Sequence, residues 1–243
     1  MEENSTTPFI IDVTNINEKV YDYIKKNITT FHFPSGYKLN IKQLSETLGV
    51  SHTPIKDALF RLAGEGLIDI TSRTGTYVKS ITEADIHEIL QTRLILETAV
   101  IEEIAGKITD EQLQALTDLY RKGVSLVVKP NDNESYKAFM EYDSQFHLSF
   151  FNIMGNRRLL HIYKNLNAHM QMVRFRLMNR ALGKLPTTDE AHRLILEALC
   201  ERNVVKAKQA IANHLHGLDA VCAMVQQDQV NPGRRVKGMG KGI

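Results

Sequence analysis

The sequence predicts a mainly α protein, an N-terminal winged helix-turn-helix followed by an antiparallel all-α helical bundle. The first third of the chain holds two short helical patterns separated by a turn, with two short strand patterns directly after them. Beyond that point strand signals stop, and long helical patterns with recognisable caps take over. At 243 residues the chain suits two modest domains, each able to bury its own core.

Residues 1–14 read as a flexible N-terminal arm, and residues 15–79 as a winged helix-turn-helix. The helix Ile16–Ile28 puts Val20, Ile24 and Ile28 on one face. A second helix begins after Asn40, a capping residue with Gln43 at capping-box spacing. Its apolar positions are Ile41, Leu44 and Leu48, and Gly49 can leave it in a left-handed conformation. The third helix starts at Ser51 or Thr53 and tolerates Pro54 in its first turn, where a missing N–H has no intrahelical partner. Ile55, Leu59 and Leu62 share its buried face, which leaves Ser51, His52, Thr53 and Lys56 at an exposed N-terminal end. A helix start of this kind is what a helix-turn-helix presents to the major groove of double-stranded DNA. A plain helical hairpin would share the pattern, but the segment that follows separates the two. The runs Leu67–Ile70 and Thr76–Val78 read as strands around the turn Ser72-Arg73-Thr74-Gly75. That hairpin is a wing, and its tip of Arg73, Thr74 and Gly75 is placed to reach phosphate or minor groove.

After a short hinge at Ser80-Ile81, residues 82–228 read as about six helices. Thr82 with Asp85 caps the first, and Thr109 with Gln112 the second. Glu134–Met154 ends at Gly155, and Asn156–Leu182 ends at Gly183. Thr187 with Glu190 is expected to cap the next helix, and Asn203 the last. Residues 229–243 are Gly-rich, basic and unpatterned, and so read as a disordered tail.

A net charge of +2 confines any DNA-binding surface to a local patch. Two cysteines, Cys200 and Cys222, without CxxC spacing read as buried free thiols in a reducing compartment. The N-terminus lacks the pattern of a signal peptide, and no window approaches a membrane span. A cytoplasmic location is the expectation.

The bundle carries polar residues where its faces should be apolar. Asp143 and His147 lie four apart on the helix side marked by Phe139, Phe146 and Phe150. His192 shares a face with Ile195, Leu196 and Leu199, and His214 with Ala207, Ile211 and Leu218. His216, two residues on, points the other way. A lone histidine on an apolar face is commonly a core residue satisfied by a carbonyl, and Asp143 with His147 could be a buried hydrogen-bonded pair. Four inward polar groups are harder to satisfy among themselves, and a divalent cation offers them a common partner. The donor set suits Zn, Ni, Mn or Fe, and spacing does not choose among them.

The segments YDYIKKNI, PSGYKL, LSETLGVSHTPIKDALFRLAGEGLI and SRTGTYV resemble the DNA-binding domain of GntR-family bacterial transcription regulators. His52 and Lys56 depart from that pattern, standing where FadR-type members usually carry arginines, so the family's usual operator is not carried over. Downstream, RLILE, DSQFHLSFFNIMGNRRL, DEAHRLILEAL and NHL resemble the FCD ligand-binding domain of the FadR subgroup. That likeness implies a metal held by Asp143, His147, His192 and His214, and a ligand carboxylate bound by Arg93. Without the family, Arg93 reads equally as a surface arginine paired with Glu97.

The function expected is a ligand-responsive regulator, a repressor or activator, binding pseudo-palindromic operator DNA as a homodimer. Its effector would be a small carboxylate held at the metal. In the nearest alternative the cation itself is the signal. A metal-dependent hydrolase is the third reading, but no H-E-x-x-H motif is present and an enzyme needs no attached winged helix.

Overall fold

In the computed structural model, which describes residues 13–126, 132–181 and 186–230, the chain opens with helix α1 (Val13–Thr29). Val20, Ile24 and Ile28 on its inner face are buried, as are Ile55, Ala58, Leu59 and Leu62 of α3 (His52–Gly64). These two faces pack on each other and form the core of the first of two compact units, which ends at Ser80. Between them lies α2 (Ile41–Leu48), whose start is fixed by the Asn40 side chain accepting from the backbone of Lys42 and Gln43. Gly49 ends α2 at φ 64°, a conformation that carries no steric penalty only for glycine.

The wing is a three-stranded antiparallel sheet. Strands β2 (Ile68–Thr71) and β3 (Gly75–Val78) pair with Ile68 opposite Val78 and Thr71 opposite Gly75. The third strand, β1 (Lys38–Leu39), pairs with β3, so the sheet order is β1-β3-β2. Sequence reading missed β1 because two residues are too few to show an alternation. Gly75 opens β3 at φ 120°, a backbone geometry that L side chains rarely adopt.

The second unit begins at Ile81 and contains, among the described residues, six helices. They are α4 (Glu83–Ile104), α5 (Asp110–Val124), α6 (Asn133–Met154), α7 (Arg157–Ala181), α8 (Pro186–Cys200) and α9 (Val204–Val230). Capping boxes at Thr82/Asp85 and Thr109/Gln112 are both formed. Helix α9 packs against α4 and α8, and α6 against α4, α5 and α7. One apolar cluster fills the interior, built around Ile101, Ile104, Phe146, Phe150, Ile195, Leu199 and Ile211.

Several boundaries differ from the sequence reading. Helix α1 already includes residues 13 and 14, whereas the remainder of the expected arm, 1–12, lies outside the described residues. Helix α8 starts at Pro186, ahead of the expected cap Thr187; proline's fixed φ suits a first helical position. Helix α9 runs through Val230, and the rest of the expected tail, 231–243, lies outside the described residues. Cys200 is an exposed free thiol rather than a buried one, because the last turn of α8 carries it on the outer face. The side chain of Cys222 is outside the described residues. Among the described residues no helix is long and apolar enough to cross a membrane.

Candidate functional site

Three helices bring four polar side chains to one point inside the second unit. Asp143 and His147 come from α6, His192 from α8 and His214 from α9, and one donor atom from each lies within 4.8 Å of all the others. The Nε2 atom of His147 stands 3.1 Å from that of His214. The His192 Nε2 is 3.5 Å from one Asp143 oxygen, and the His147 Nε2 is 3.9 Å from the other. Asp143, His147 and His192 are buried and His214 is partly so. Phe146 stacks on the His192 ring at 4.2 Å between centroids and fixes its plane.

A second layer of residues holds these four. Glu97 of α4 lies 2.6 Å from the His147 Nδ1, while its other oxygen accepts from the Arg93 Nε at 2.6 Å and from the Tyr163 hydroxyl at 2.8 Å. Arg174 of α7 pairs with Asp143. The Tyr142 hydroxyl lies 2.9 Å from the His192 Nδ1. Burial works against the Glu97 charge, but Arg93 and then His147 outweigh it and hold the carboxyl below its usual range. The same contest at Asp143 is won chiefly by Arg174, followed by His147. Burial and the neighbouring His147 push His214 down to about 3, and burial with His214 pushes His192 well below its usual value. The imidazoles of His192 and His214 are therefore neutral, the form that ligates metals.

The arrangement fits a divalent transition metal. Ionised Glu97 can only accept, so the proton of a neutral His147 sits on Nδ1 and the Nε2 lone pair faces the cluster. Donors about 2.1 Å from one ion stand roughly 3.0–3.4 Å apart at ordinary coordination angles; the observed spacings of 3.1 and 3.5 Å are close to that and the 3.9 Å between His147 and Asp143 is wider. A network without a cation could satisfy His147 by a proton on His214. Among the described residues it leaves the buried His192 Nε2 without a hydrogen-bond partner, which costs free energy. Among the described residues, two further buried atoms beside this cluster have no partner, the Nη1 nitrogens of Arg93 and Arg174.

Sequence reading thus named four side chains that do converge, and His216 is exposed as expected. Arg93 does pair with Glu97, but at 1% exposure it is buried, which removes the alternative of a surface arginine. Its stem points inward because α4 is covered by α6, α7 and α9. Glu97, Tyr142, Tyr163 and Arg174 were missed as parts of the site. The i, i+4 spacing of Arg93 and Glu97, and the adjacency of Tyr142 to Asp143, were available signals. Arg174 lies 31 residues from Asp143 on another helix and offered none.

In the first unit, Ser51, His52, Thr53 and Lys56 are all exposed at the start of α3, and Ser51 makes no side-chain capping bond. Arg73 and Thr74 are exposed at the hairpin turn and Gly75 is half-buried. The turn is tied down by the Tyr77 hydroxyl donating to the Thr74 carbonyl at 2.7 Å. Lys38 of β1, unnoticed in the sequence, lies against Gly75 with its ammonium 5.7 Å from the Tyr77 ring centre.

Residues 16–78 match the gntR family of bacterial regulatory proteins, and residues 88–217 match the FCD domain. The HTH-type transcriptional regulator YdhC of Bacillus subtilis is 26% identical over 81% of this chain and 86% of its own length. The HTH-type transcriptional repressor RspR of Escherichia coli is 25% identical over 88% of this chain and 91% of its own. Among solved structures, E. coli McbR/YncC superposes with a TM-score of 0.74 at 21% identity, covering 86% of this chain and 97% of the other. A GntR regulator from Rhodococcus gives 0.73 at 20%, covering 88% and 98%. These two likenesses speak to the fold.

Proposed function

Because this chain belongs to the GntR family of bacterial regulatory proteins and carries an FCD domain, we propose that it is a transcription regulator switched by a divalent transition metal in its C-terminal bundle. It is a DNA-binding, ligand-responsive protein of that family and not an enzyme; its relatives are transcription regulators. The observation that carries the metal reading is the meeting of four donors within 4.8 Å, with the His192 Nε2 left unpartnered among the described residues. Asp143, His147, His192 and His214 would hold the ion, whether Zn, Ni, Mn or Fe. When bound, it supplies one positive charge centre shared by α6, α8 and α9. Glu97 and Arg174 would keep His147 and Asp143 aimed at it, and Phe146 and Phe150 pack against the histidine rings. Placement among FadR-type members rests on the motif resemblance and on the pairing of winged helix with FCD bundle.

On the DNA side, Ser51, His52, Thr53 and Lys56 would enter the major groove while Arg73, Thr74 and Gly75 touch backbone or minor groove. A cytoplasmic homodimer would meet two half-sites of a pseudo-palindromic operator. The name of the relative RspR supports a repressor. Metal occupancy changes operator affinity only if it favours one of two arrangements of the protein, and its differential affinity sets the size of the shift.

A small carboxylate bound beside the metal is the second reading. The specific support for it is the pair of buried guanidinium nitrogens of Arg93 and Arg174 that have no partner among the described residues, each able to donate to an anionic oxygen.

Operator binding measured on chelated protein, on zinc-loaded protein and on zinc-loaded protein with added organic acids separates these readings. A change with zinc alone supports the metal as signal. A change only with zinc and an acid supports the carboxylate reading. If neither changes affinity, while His147→Ala abolishes zinc binding, the site is structural and the sensing proposal is wrong.

A further inference from the structure

We infer that Tyr142 is a positioning residue of the metal centre: its hydroxyl oxygen accepts the Nδ1–H of His192 and so turns the lone pair of Nε2 toward the ion, while Gly123 on α5 supplies the room its ring needs. This rests on the metal reading above and adds to it the device that selects a tautomer.

Among the described residues, the His192 Nε2 is the only metal-facing imidazole nitrogen left without a hydrogen-bond partner. To donate to a cation it must carry no proton, so the single proton of the neutral ring has to sit on Nδ1. The atom next to Nδ1 must then be an acceptor. It is the Tyr142 oxygen, at 2.9 Å. Were the phenol instead to donate to Nδ1, the proton would move to Nε2 and the ring would face the cation with an N–H. Phe146 fixes the plane of the ring by stacking but cannot choose its tautomer. His147 meets the same requirement differently, through a carboxylate that can only accept. Two metal-facing histidines are thus held by two acceptors, one anionic and one neutral.

Gly123 on a neighbouring helix leaves the room this placement needs. It lies in the last turn of α5, where its φ is outside the left-handed region and any residue could supply the backbone. A glycine inside a helix costs about 1 kcal/mol relative to alanine. A Cβ built there would overlap the Tyr142 ring carbons Cζ, Cε1 and Cε2, far inside van der Waals contact. The ring lies against bare backbone, and its hydroxyl reaches His192 from there.

The test compares wild type, Tyr142→Phe, Gly123→Ala and the double variant in the full-length protein. Co²⁺ affinity is read by chelator competition, the Co²⁺ visible spectrum is recorded, and the His192 tautomer is read by ¹⁵N NMR. Tyr142→Phe keeps the ring and its packing, so thermal unfolding of the metal-free variant serves as the folding control. The expected result is a 10–100-fold loss of Co²⁺ affinity with a changed spectrum and loss of the pure Nδ1–H tautomer. Gly123→Ala should act in the same direction and add little to Tyr142→Phe, since both work through one hydroxyl. Wild-type affinity, spectrum and tautomer in Tyr142→Phe overturn this inference and leave the metal reading standing. Failure of the wild type to bind Co²⁺ overturns the metal reading and this inference with it.

Discussion

The two units place their candidate functional residues under opposite physical conditions. In the winged helix, Ser51, His52, Thr53, Lys56 and Arg73 stand in solvent, and the apolar faces of α1 and α3 form the core without them. In the bundle, Asp143, His147 and His192 are part of the interior, each held by a second residue: Arg174, Glu97 and Tyr142. Exposed polar groups cost nothing to keep and gain their worth only against a partner. Buried ones must be satisfied within the fold, so Asp143, His147 and His192 each come with a further residue that holds them in place. The winged helix can therefore change residue by residue, whereas the bundle's site changes as a network.

The sharpest way to break that contrast is Glu97→Ala. It strands the Arg93 charge and removes the partner of the His147 Nδ1 and of the Tyr163 hydroxyl, so a destabilisation of about 3–5 kcal/mol is expected by urea unfolding. Lys56→Ala in the other unit should leave stability within about 0.5 kcal/mol. Comparable losses at both positions would erase the distinction.

Zinc addition comes next in size. Held at about 100 times its dissociation constant, it should raise the unfolding free energy by about 2.7 kcal/mol, and a chelator should reverse the gain. His214→Ala should remove this response, as seen by calorimetry, while Lys56→Ala retains it. A zinc shift that survives His214→Ala would put the metal elsewhere.

Smaller effects sharpen the DNA side. Lys56→Ala removes one positive charge from the end of α3 proposed to face DNA, so it should flatten the dependence of operator affinity on log salt by up to about 0.9. His52→Arg should steepen it by no more than the same amount, because arginine adds a permanent charge where the wild type has an imidazole. Neither substitution should alter zinc affinity, since both lie in the first unit.

How much could be read in advance follows from the same contrast. The buried face of α3, the cap at Asn40, the capping boxes at Thr82 and Thr109, and the hairpin around Arg73 are local patterns, set by residues within four or five positions of one another. Asp143 and His147 were legible for the same reason, as were the inward faces holding His192 and His214. Strand β1 was not, because it exists only by pairing with β3. Arg174 was not either, since nothing in α7 announces a partner on α6. Arg93 was half legible: its bond to Glu97 is an i, i+4 relation, but whether that pair lies in water or in the core depends on which helices cover it.

The chain by itself determined the two-part organisation, the helix phases and the side chains that face inward, because periodicity and capping are properties of neighbouring residues. Tertiary structure alone decided that three helices bring their donors within one ion's reach. It also decided which acceptors aim the imidazoles, and that a glycine on α5 makes way for one of them. The two acceptor contacts each join residues 50 positions apart, and only packing measures such distances.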